Sequence, residues 1–161
     1  VQHDGTFSMN VFESTYGLNI QGLPDGWYLR SARLNGEEVL EHGTKIEGAG
    51  AQKLELQISH TAASLEGTVT MEDKPAIGAS IRLVPVQENP NRADLSKATN
   101  TDQNGHFVLN SIVPGAYKIS AKFNEDNVKE SPELARKVAE IKVELSEKES
   151  KTIKLEMKEP Q

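Results

Sequence analysis

Apolar and polar residues alternate with a period of two along most of the chain, and short runs of turn residues separate these segments. One such segment places Leu65, Gly67 and Val69 on a single predicted face. The same alternation predicts further inward faces for Ala79, Ile81 and Leu83; Phe107 and Leu109; Tyr117, Ile119, Ala121 and Phe123; Ile141, Val143 and Leu145; and Ile153, Leu155 and Met157. About seven short strands at regular spacing are typical of an all-β immunoglobulin-like sandwich.

The same pattern occurs twice. Residues 4–10 resemble residues 104–110, residues 11–16 fall on 112–117 when one residue is dropped, and residues 54–58 fall on 153–157. The shared unit is a turn with glycine, a strand with phenylalanine, a second turn, and a strand opened by tyrosine. Its motif residues are Gly5, Phe7 and Tyr16 in the first copy, and Gly67, Asp102, Gly105, Phe107, Pro114, Gly115 and Tyr117 in the second. We therefore predict two tandem domains, residues 1–61 and 62–161.

The first copy lacks any counterpart of residues 65–103. We expect it to be an incomplete sandwich in which residues 7–9 and 16–20 form a hairpin, followed by strands at 27–34, 37–40 and 54–58. An uncovered apolar face or strand edge follows, and such edges invite pairing with another chain. Since the sequence opens with valine directly before a strand motif, we interpret it as a fragment of a longer protein.

Local signals predict the connections between these strands. Asn104-Gly105 favours a tight hairpin, because both residue types tolerate positive φ. Ser131-Pro132 predicts the start of one short helix near residues 131–139, with Leu134 and Val138 on its packed face. The link at residues 59–64 contains neither glycine nor proline, so we expect little hinge motion between the copies.

Four segments in order, residues 65–69, 75–85, 101–107 and 114–117, resemble the carboxypeptidase regulatory-like domain. The resemblance is clearest over residues 64–123. It implies a prealbumin-like, seven-stranded sandwich without catalysis, used as a spacer or docking module in secreted and envelope proteins of bacteria. The first copy matches only the latter half of this pattern, with Glu13, Ser14 and Thr15 before Tyr16.

Charge and composition exclude several functions. The net charge of −6 is spread without a basic patch, which disfavours nucleic-acid and anionic-membrane partners. The chain has no cysteine, and its four histidines are scattered, so we expect no metal and no cofactor. No serine lies in a nucleophile-elbow context, and we predict no enzymatic activity. Tyr16 and Tyr117 match a structural tyrosine corner better than a catalytic phenol.

We therefore expect spacer or protein-interaction modules, in a larger secreted or envelope bacterial protein, whose partners are proteins or neighbouring domains. One alternative is a carbohydrate-binding accessory module. For this role alternation places Trp27 with Leu29 in the core and leaves Tyr28 as the exposed contact. The other alternative is a regulatory appendage of a hydrolase or an outer-membrane transporter.

Overall fold

The computed structural model describes residues 2–48, 50–123, 129, 134–135 and 137–159. Their regular secondary structure is almost entirely β. In chain order the strands are β1 Ser14–Tyr16, β2 Tyr28–Leu34, β3 Glu37–Glu38, β4 Thr44–Ile46, β5 Leu54–Ser59, β6 Ala63–Met71, β7 Lys74–Pro75, β8 Ser80–Pro85, β9 Lys97–Asn100, β10 His106–Ile112, β11 Gly115–Lys122, β12 Val138–Leu145 and β13 Ser150–Glu156. A 3-10 helix spans Ala93–Leu95.

The C-terminal part, from β6 onward, is a β-sandwich, as the alternation predicts. One sheet has the order β10-β6-β13, with the short β7 also paired to β6. The other has the order β12-β11-β8-β9. β13 runs parallel to β6, with Ile153 opposite Gly67, whereas the other pairs in both sheets are antiparallel.

The predicted inward faces form one core between these sheets. Its fully buried members include Leu65, Val69, Ile81, Leu83, Phe107, Ile112, Tyr117, Ile119 and Leu145. Ile141 is the exception, because 39% of it is exposed although its neighbours Ala139 and Val143 are buried. It lies on β12, the edge strand of its sheet. Alternation predicts which face of β12 carries Ile141, but it does not predict whether the opposite sheet extends far enough to cover that side chain.

The turn at Asp102–Gly105 differs from the predicted hairpin. Gly105 has a φ of +72°, but Asn104 is absent from the residues with positive φ. The turn closes locally through Asp102 and His106, whose backbone groups bond at 2.8 Å. The strands on either side then diverge, since β9 pairs with β8 in one sheet and β10 with β6 in the other. The turn is therefore a crossing between sheets.

The N-terminal part is smaller and less regular. β2 lies between β3 and β5 in a three-stranded sheet, and β1 pairs with β4 in a separate two-stranded sheet. Asn35 and Gly36, both at positive φ, form the predicted turn between β2 and β3. Leu29, Ala32 and Leu40 form a small core against which Leu18, Ile20, Val39 and Leu56 pack.

The predicted hairpin of residues 7–9 with 16–20 is wrong. Phe7 and Met9 lie outside any strand, and Tyr16 pairs with Thr44 of β4 instead. In the C-terminal sandwich the matching segment, β10, is held by β6 and not by β11. The N-terminal part lacks a counterpart of β6 among its described residues, so residues 7–9 have no strand to pair with.

The predicted helix near 131–139 falls partly on residues 131–133 and 136, which lie outside the described residues. Residues 134–135 have 3-10 geometry. Val138 and Ala139 belong to β12, so the helix does not extend to them. The link between the two parts is short as expected, because only residues 60–62 separate β5 from β6.

Candidate functional site at the junction of the two parts

Asp102 and Gly105 build the crossing turn beside the core. One carboxylate oxygen of Asp102 accepts the backbone N–H groups of Asn104 at 2.8 Å and His106 at 2.9 Å. These two hydrogen bonds, His106 first, lower the pKa of Asp102. A Cβ on Gly105 would lie 2.5 Å from the carbonyl oxygen of Val69, so only glycine allows this close approach. The hydrogen bonds of this carboxylate therefore hold the turn together.

Gly67 and Phe107 lie opposite each other in the β6–β10 pair. A Cβ on Gly67 would lie 2.9 Å from the Phe107 ring and 2.5 Å from the carbonyl oxygen of Ile153. The ring therefore covers the glycine, and the parallel strand β13 approaches it from the other side. These two motif residues are used for packing.

The two repeated tyrosines make the same local contact. Tyr117 Oη donates to the carbonyl oxygen of Val113 at 2.6 Å, and Tyr16 Oη donates to that of Phe12 at 2.9 Å. Each bond reaches four residues upstream, the geometry of a tyrosine corner. Burial raises the pKa of Tyr117 to about 12, with nearby Arg92 opposing and Asp94 adding to the effect. A phenol held neutral to that pH is unsuited to act as a base near neutrality.

The remaining motif residues lie in turns or at the start of a strand. Gly5, at a φ of +83°, follows Asp4, whose carboxylate accepts the Thr6 N–H at 2.9 Å. Pro114 lies between β10 and β11, and Gly115 begins β11.

The predicted exposure of Tyr28 is wrong. Only 7% of Tyr28 is exposed, and its neighbour Leu29 is also buried, whereas Trp27 is half-buried. The register shift in β2 lies beyond this pair, between Leu29 and Ser31, so Tyr28 and Leu29 lie on opposite faces of the strand. Both faces are covered, because Leu29 packs in the small core and the Tyr28 hydroxyl lies 3.4 Å from Thr61 Oγ1 in the link. Trp27 instead lies against His60, with ring centroids 5.4 Å apart.

Tyr28 lines a cleft between the two parts, together with Trp27. The cleft has a volume of about 180 Å³. Its walls combine the N-terminal residues Leu18, Asn19, Ile20, Gly22, Leu23, Trp27, Tyr28 and Leu29 with Asp94, Lys97, Ser111 and Val113 of the sandwich. Aromatic, amide, acidic and basic side chains thus meet at one place that only the association of the two parts creates.

Arg92 is the centre of a polar cluster at the same junction. Only 6% of its side chain is exposed. Arg92 Nε donates to Asp94 Oδ1 at 3.0 Å, its Nη2 donates to Asp94 Oδ2 at 3.1 Å, and its Nη1 pairs with Glu41 of the N-terminal part. Burial disfavours the charge on Arg92, but the hydrogen bonds and charges of the two acids outweigh it and raise its pKa.

Two asparagines complete this cluster around Glu41. Asn89 Nδ2 donates to the backbone carbonyl of Glu41 at 2.8 Å and to its carboxylate at 2.9 Å, and Asn91 Nδ2 donates to the same carbonyl at 3.2 Å. We name Glu41, Asn89, Asn91, Arg92 and Asp94 the junction clamp. Nothing in the sequence indicates this cluster, since Arg92 and its neighbours lie in a polar loop like those that are normally solvated. The buried arginine is evident only once the two parts are placed together.

Further hydrogen bonds join the two parts at Gly26 and at the link. The N–H of Gly26 donates to Ser111 Oγ at 2.9 Å, and Ser111 adopts a φ of +53°. The N–H of Ala62 in the link donates to the carbonyl of Gly26 at 3.2 Å, and Arg30 pairs with Glu147 at 3.3 Å on the surface. The junction is therefore held at several separate points.

Two kinds of site are not found in the part of the chain that the structure describes. Histidine and acidic side chains form no group of three or more that could hold a metal ion. None of the helical segments described is long and apolar enough to cross a membrane.

Comparisons with known proteins place the fold in context. No curated protein sequence matches significantly. A candidate carbohydrate-binding protein from Pseudomonas aeruginosa is 15% identical, with 60% of this chain and 88% of that chain covered at a TM-score of 0.44. The major pilin subunit BcpA of Bacillus cereus is 13% identical, with 84% and 58% covered at 0.44. The minor pilin GBS52 of Streptococcus agalactiae is 16% identical, with 88% and 63% covered at 0.41.

A family match covers most of the C-terminal sandwich. Residues 60–154 match the family described as the second β-sandwich domain of NOMO1-like subunits of the BOS complex. The match begins within the link and ends in β13, so its boundary agrees with the junction described above. It supports the sandwich that the sequence motifs imply, but it names a family other than the carboxypeptidase regulatory-like one. The chain belongs to the family of NOMO1-like second β-sandwich domains.

Proposed function

We propose that this chain is a non-catalytic structural module, which holds neighbouring parts of a larger protein in a fixed orientation and offers surfaces for protein partners. The junction clamp is the single observation that carries this proposal. A buried arginine satisfied by two acids from different parts ties the N-terminal region to the sandwich. A spacer needs such a fixed joint, whereas a flexible tether does not.

The clamp restrains orientation more than it adds stability. Glu41 is 48% exposed, so its ion pair with Arg92 is partly screened by water. The two asparagine bonds to its backbone carbonyl do not depend on charge. Together with the Gly26–Ser111 bond across the cleft, they restrain rotation about the three-residue link.

The family supports a role within an assembly, because its members are described as subunits of a complex. We therefore propose protein partners, or neighbouring domains of the same polypeptide. We also propose a secreted or cell-envelope location, which the resemblance to docking modules of surface proteins supports. We propose residues 1–61 and 62–161 as the two units of this module.

Replacing Glu41 tests the proposed rigid joint. Residual dipolar couplings of the wild-type chain should fit one alignment tensor for both parts. Combining Glu41→Ala with Asn89→Ala and Asn91→Ala should make a single tensor fit both parts less well, because the triple variant removes the acid and the amide donors to its backbone carbonyl. Glu47→Ala is the matched control, since the Glu47 carboxylate pairs with Lys45 in an exposed contact of the same region. Independent tumbling of the two parts in the wild-type chain would refute the proposal.

The cleft favours a second candidate function, the binding of a small saccharide. Trp27 and Tyr28 supply aromatic surface, and Asn19, Asp94 and Lys97 supply polar groups. A volume of about 180 Å³ is below the roughly 300 Å³ typical of ligand pockets, so a single sugar ring is the largest suitable ligand. Isothermal titration with monosaccharides should give binding that Trp27→Ala abolishes and that the surface variant Lys53→Ala retains. An absence of heat at millimolar sugar removes this candidate.

A further inference from the structure

Lys97 carries a positive charge on the inner face of the sandwich. It begins β9 and lies directly opposite Leu83 of β8. Directly opposite residues of an antiparallel pair have their side chains on the same face of the sheet. Leu83 is fully buried in the core, so the Lys97 side chain leaves its strand on the core side. Lys97 is half-buried and lines the cleft between the two parts, as do Ser111 and Val113.

The ammonium group of Lys97 has no counter-charge. Among the residues that the structure describes, this group forms no ion pair and no hydrogen bond. Lys137, whose side chain is 18% exposed, pairs with Glu72 and Glu159. A lysine that is partly removed from water is normally paired in this way, because a desolvated charge without a partner is unfavourable. The unpaired Lys97 therefore indicates that an anion completes the cleft.

Asp94 lines the same cleft but does not supply this counter-charge. Its two carboxylate oxygens accept hydrogen bonds from Arg92, Oδ1 from Nε at 3.0 Å and Oδ2 from Nη2 at 3.1 Å. Each oxygen has a further lone pair that can accept a hydroxyl group of a ligand. Asn19 of the N-terminal part adds an amide, which both donates and accepts. The cleft thus combines one unpaired cation with acceptors for hydroxyl groups.

The backbone is strained at Ser111, on the sandwich side of the cleft. Ser111 has a φ of +53°, in a region that residues other than glycine rarely occupy. The register of β10 against β6 is irregular between Leu109 and Ile112, on either side of it. Strained residues and β-bulges are frequent beside ligand sites. Here Ser111 Oγ accepts the Gly26 N–H at 2.9 Å, which fixes the two sides of the cleft relative to each other. A cleft held in this way is preorganised for a ligand.

We propose that this cleft binds a hexuronic acid, a single pyranose ring whose carboxylate pairs with Lys97. The inference rests on the second candidate function, saccharide binding, and names the class of sugar. The carboxylate supplies the counter-charge that Lys97 lacks, and ring hydroxyls donate to Asp94. Trp27 and Tyr28 supply the aromatic surface that covers the ring. A neutral sugar leaves Lys97 unpaired, and an amino sugar places a second cation beside it, so the cleft selects acidic sugars.

Titration of the whole chain, followed by NMR at constant ionic strength, compares D-glucuronate, D-glucose, D-glucosamine and acetate. Glucuronate should bind at least about tenfold more tightly than glucose, because a hydrogen bond to a charged group contributes more than one between neutral groups. Glucosamine should bind more weakly than glucose. Acetate should bind at least about tenfold more weakly than glucuronate, because it has no ring to contact Trp27. Glucuronate should shift the amide signals of Lys97 and Ser111 and the indole signal of Trp27.

Three variants of the chain locate the contact. Lys97→Gln should remove the preference, so that glucuronate and glucose bind with equal affinity. Lys97→Arg keeps the charge and should keep the preference. Lys122→Gln is the matched control and should also keep it, because it removes the same charge from an exposed position of the same sheet, on β11, outside the cleft.

The outcomes separate the class of sugar from saccharide binding itself. If wild-type chain binds glucose and glucuronate equally, saccharide binding stands and the assignment to acidic sugars is overturned. Binding of acetate as tight as that of glucuronate, or equal effects of Lys97→Gln and Lys122→Gln, also overturns the assignment. If none of the sugars binds, both the second candidate function and this inference fail, whereas the dipolar-coupling test of the joint is unaffected.

Discussion

Replacing Tyr117 with phenylalanine tests two effects of its hydroxyl on the free energy of unfolding. One is a hydrogen bond that stabilises the fold at neutral pH, and the other is a loss of stability in alkali. The hydroxyl donates to the Val113 carbonyl at 2.6 Å, and the side chain is 2% exposed. Loss of one such hydrogen bond costs about 1 kcal/mol of unfolding free energy. At pH 7 we therefore expect Tyr117→Phe to be about 1 kcal/mol less stable than the wild-type chain.

The same hydroxyl makes the fold sensitive to alkali. Burial raises the pKa of Tyr117 to about 12, above its ordinary value of 10. A raised folded pKa gives stability that is fully present below pH 10 and is lost as the pH rises towards 12. One pH unit corresponds to about 1.4 kcal/mol, so the wild-type chain should lose about that amount from this group by pH 11. Tyr117→Phe has no such loss, and the two proteins should be nearly equal in stability at pH 11.

Urea denaturation followed by circular dichroism at pH 7 and pH 11 measures both effects. Tyr16→Phe is the matched control, because its hydroxyl makes the equivalent bond to Phe12 at an exposed site. We expect Tyr16→Phe to lower the free energy of unfolding by less than about 0.5 kcal/mol at pH 7. If the gap between wild type and Tyr117→Phe is the same at both pH values, the assignment of alkaline sensitivity to this buried phenol is wrong.

Two further predictions concern the turn and the glycine of the sandwich. Gly67→Ala should lower stability by about 1–3 kcal/mol, because the added Cβ meets the Ile153 carbonyl at 2.5 Å and the Phe107 ring at 2.9 Å. Gly17→Ala, whose Cβ would lie 4.0 Å from its nearest neighbour, should change the urea midpoint little. Asp102→Ala should lower the thermal midpoint at pH 7. Since the folded pKa of Asp102 is lowered, the wild-type advantage should be present above pH 4 and shrink as the pH falls below it, and an advantage independent of pH would contradict this.

The C-terminal sandwich could be predicted because each local signal agrees with the tertiary context. Leu65, Gly67 and Val69 alternate on a strand that is buried on one face, so the period alone gives the correct inward set. Tyr117 and Val113 are close in sequence, so their contact needs only local geometry. What the sequence did not indicate is which sheet each strand joins, because the turn at Asp102 looks the same in a hairpin and in a crossing.

The N-terminal part differs from the prediction where a segment has no neighbouring strand to pair with. Residues 7–9 have the same alternation as β10, but a strand requires a partner for its backbone groups. Tyr28 departs for a different reason, since both faces of β2 are covered at this point, one by the small core around Leu29 and the other by the link at Thr61. Periodicity predicts neither an absent partner strand nor a strand that is covered on both faces.

The junction clamp could not be predicted from the sequence, because it forms between segments that are far apart along the chain. Arg92 and Glu41 are separated by 51 positions, and a charged residue in a polar loop is normally solvated. Burial of Arg92 is stable only because acids from two segments meet it. The contacts of Arg92 with Asp94 and Glu41 make its conformation depend on both parts being in place. The clamp therefore makes the orientation of the N-terminal part depend on the folded sandwich, as the proposed spacer role requires.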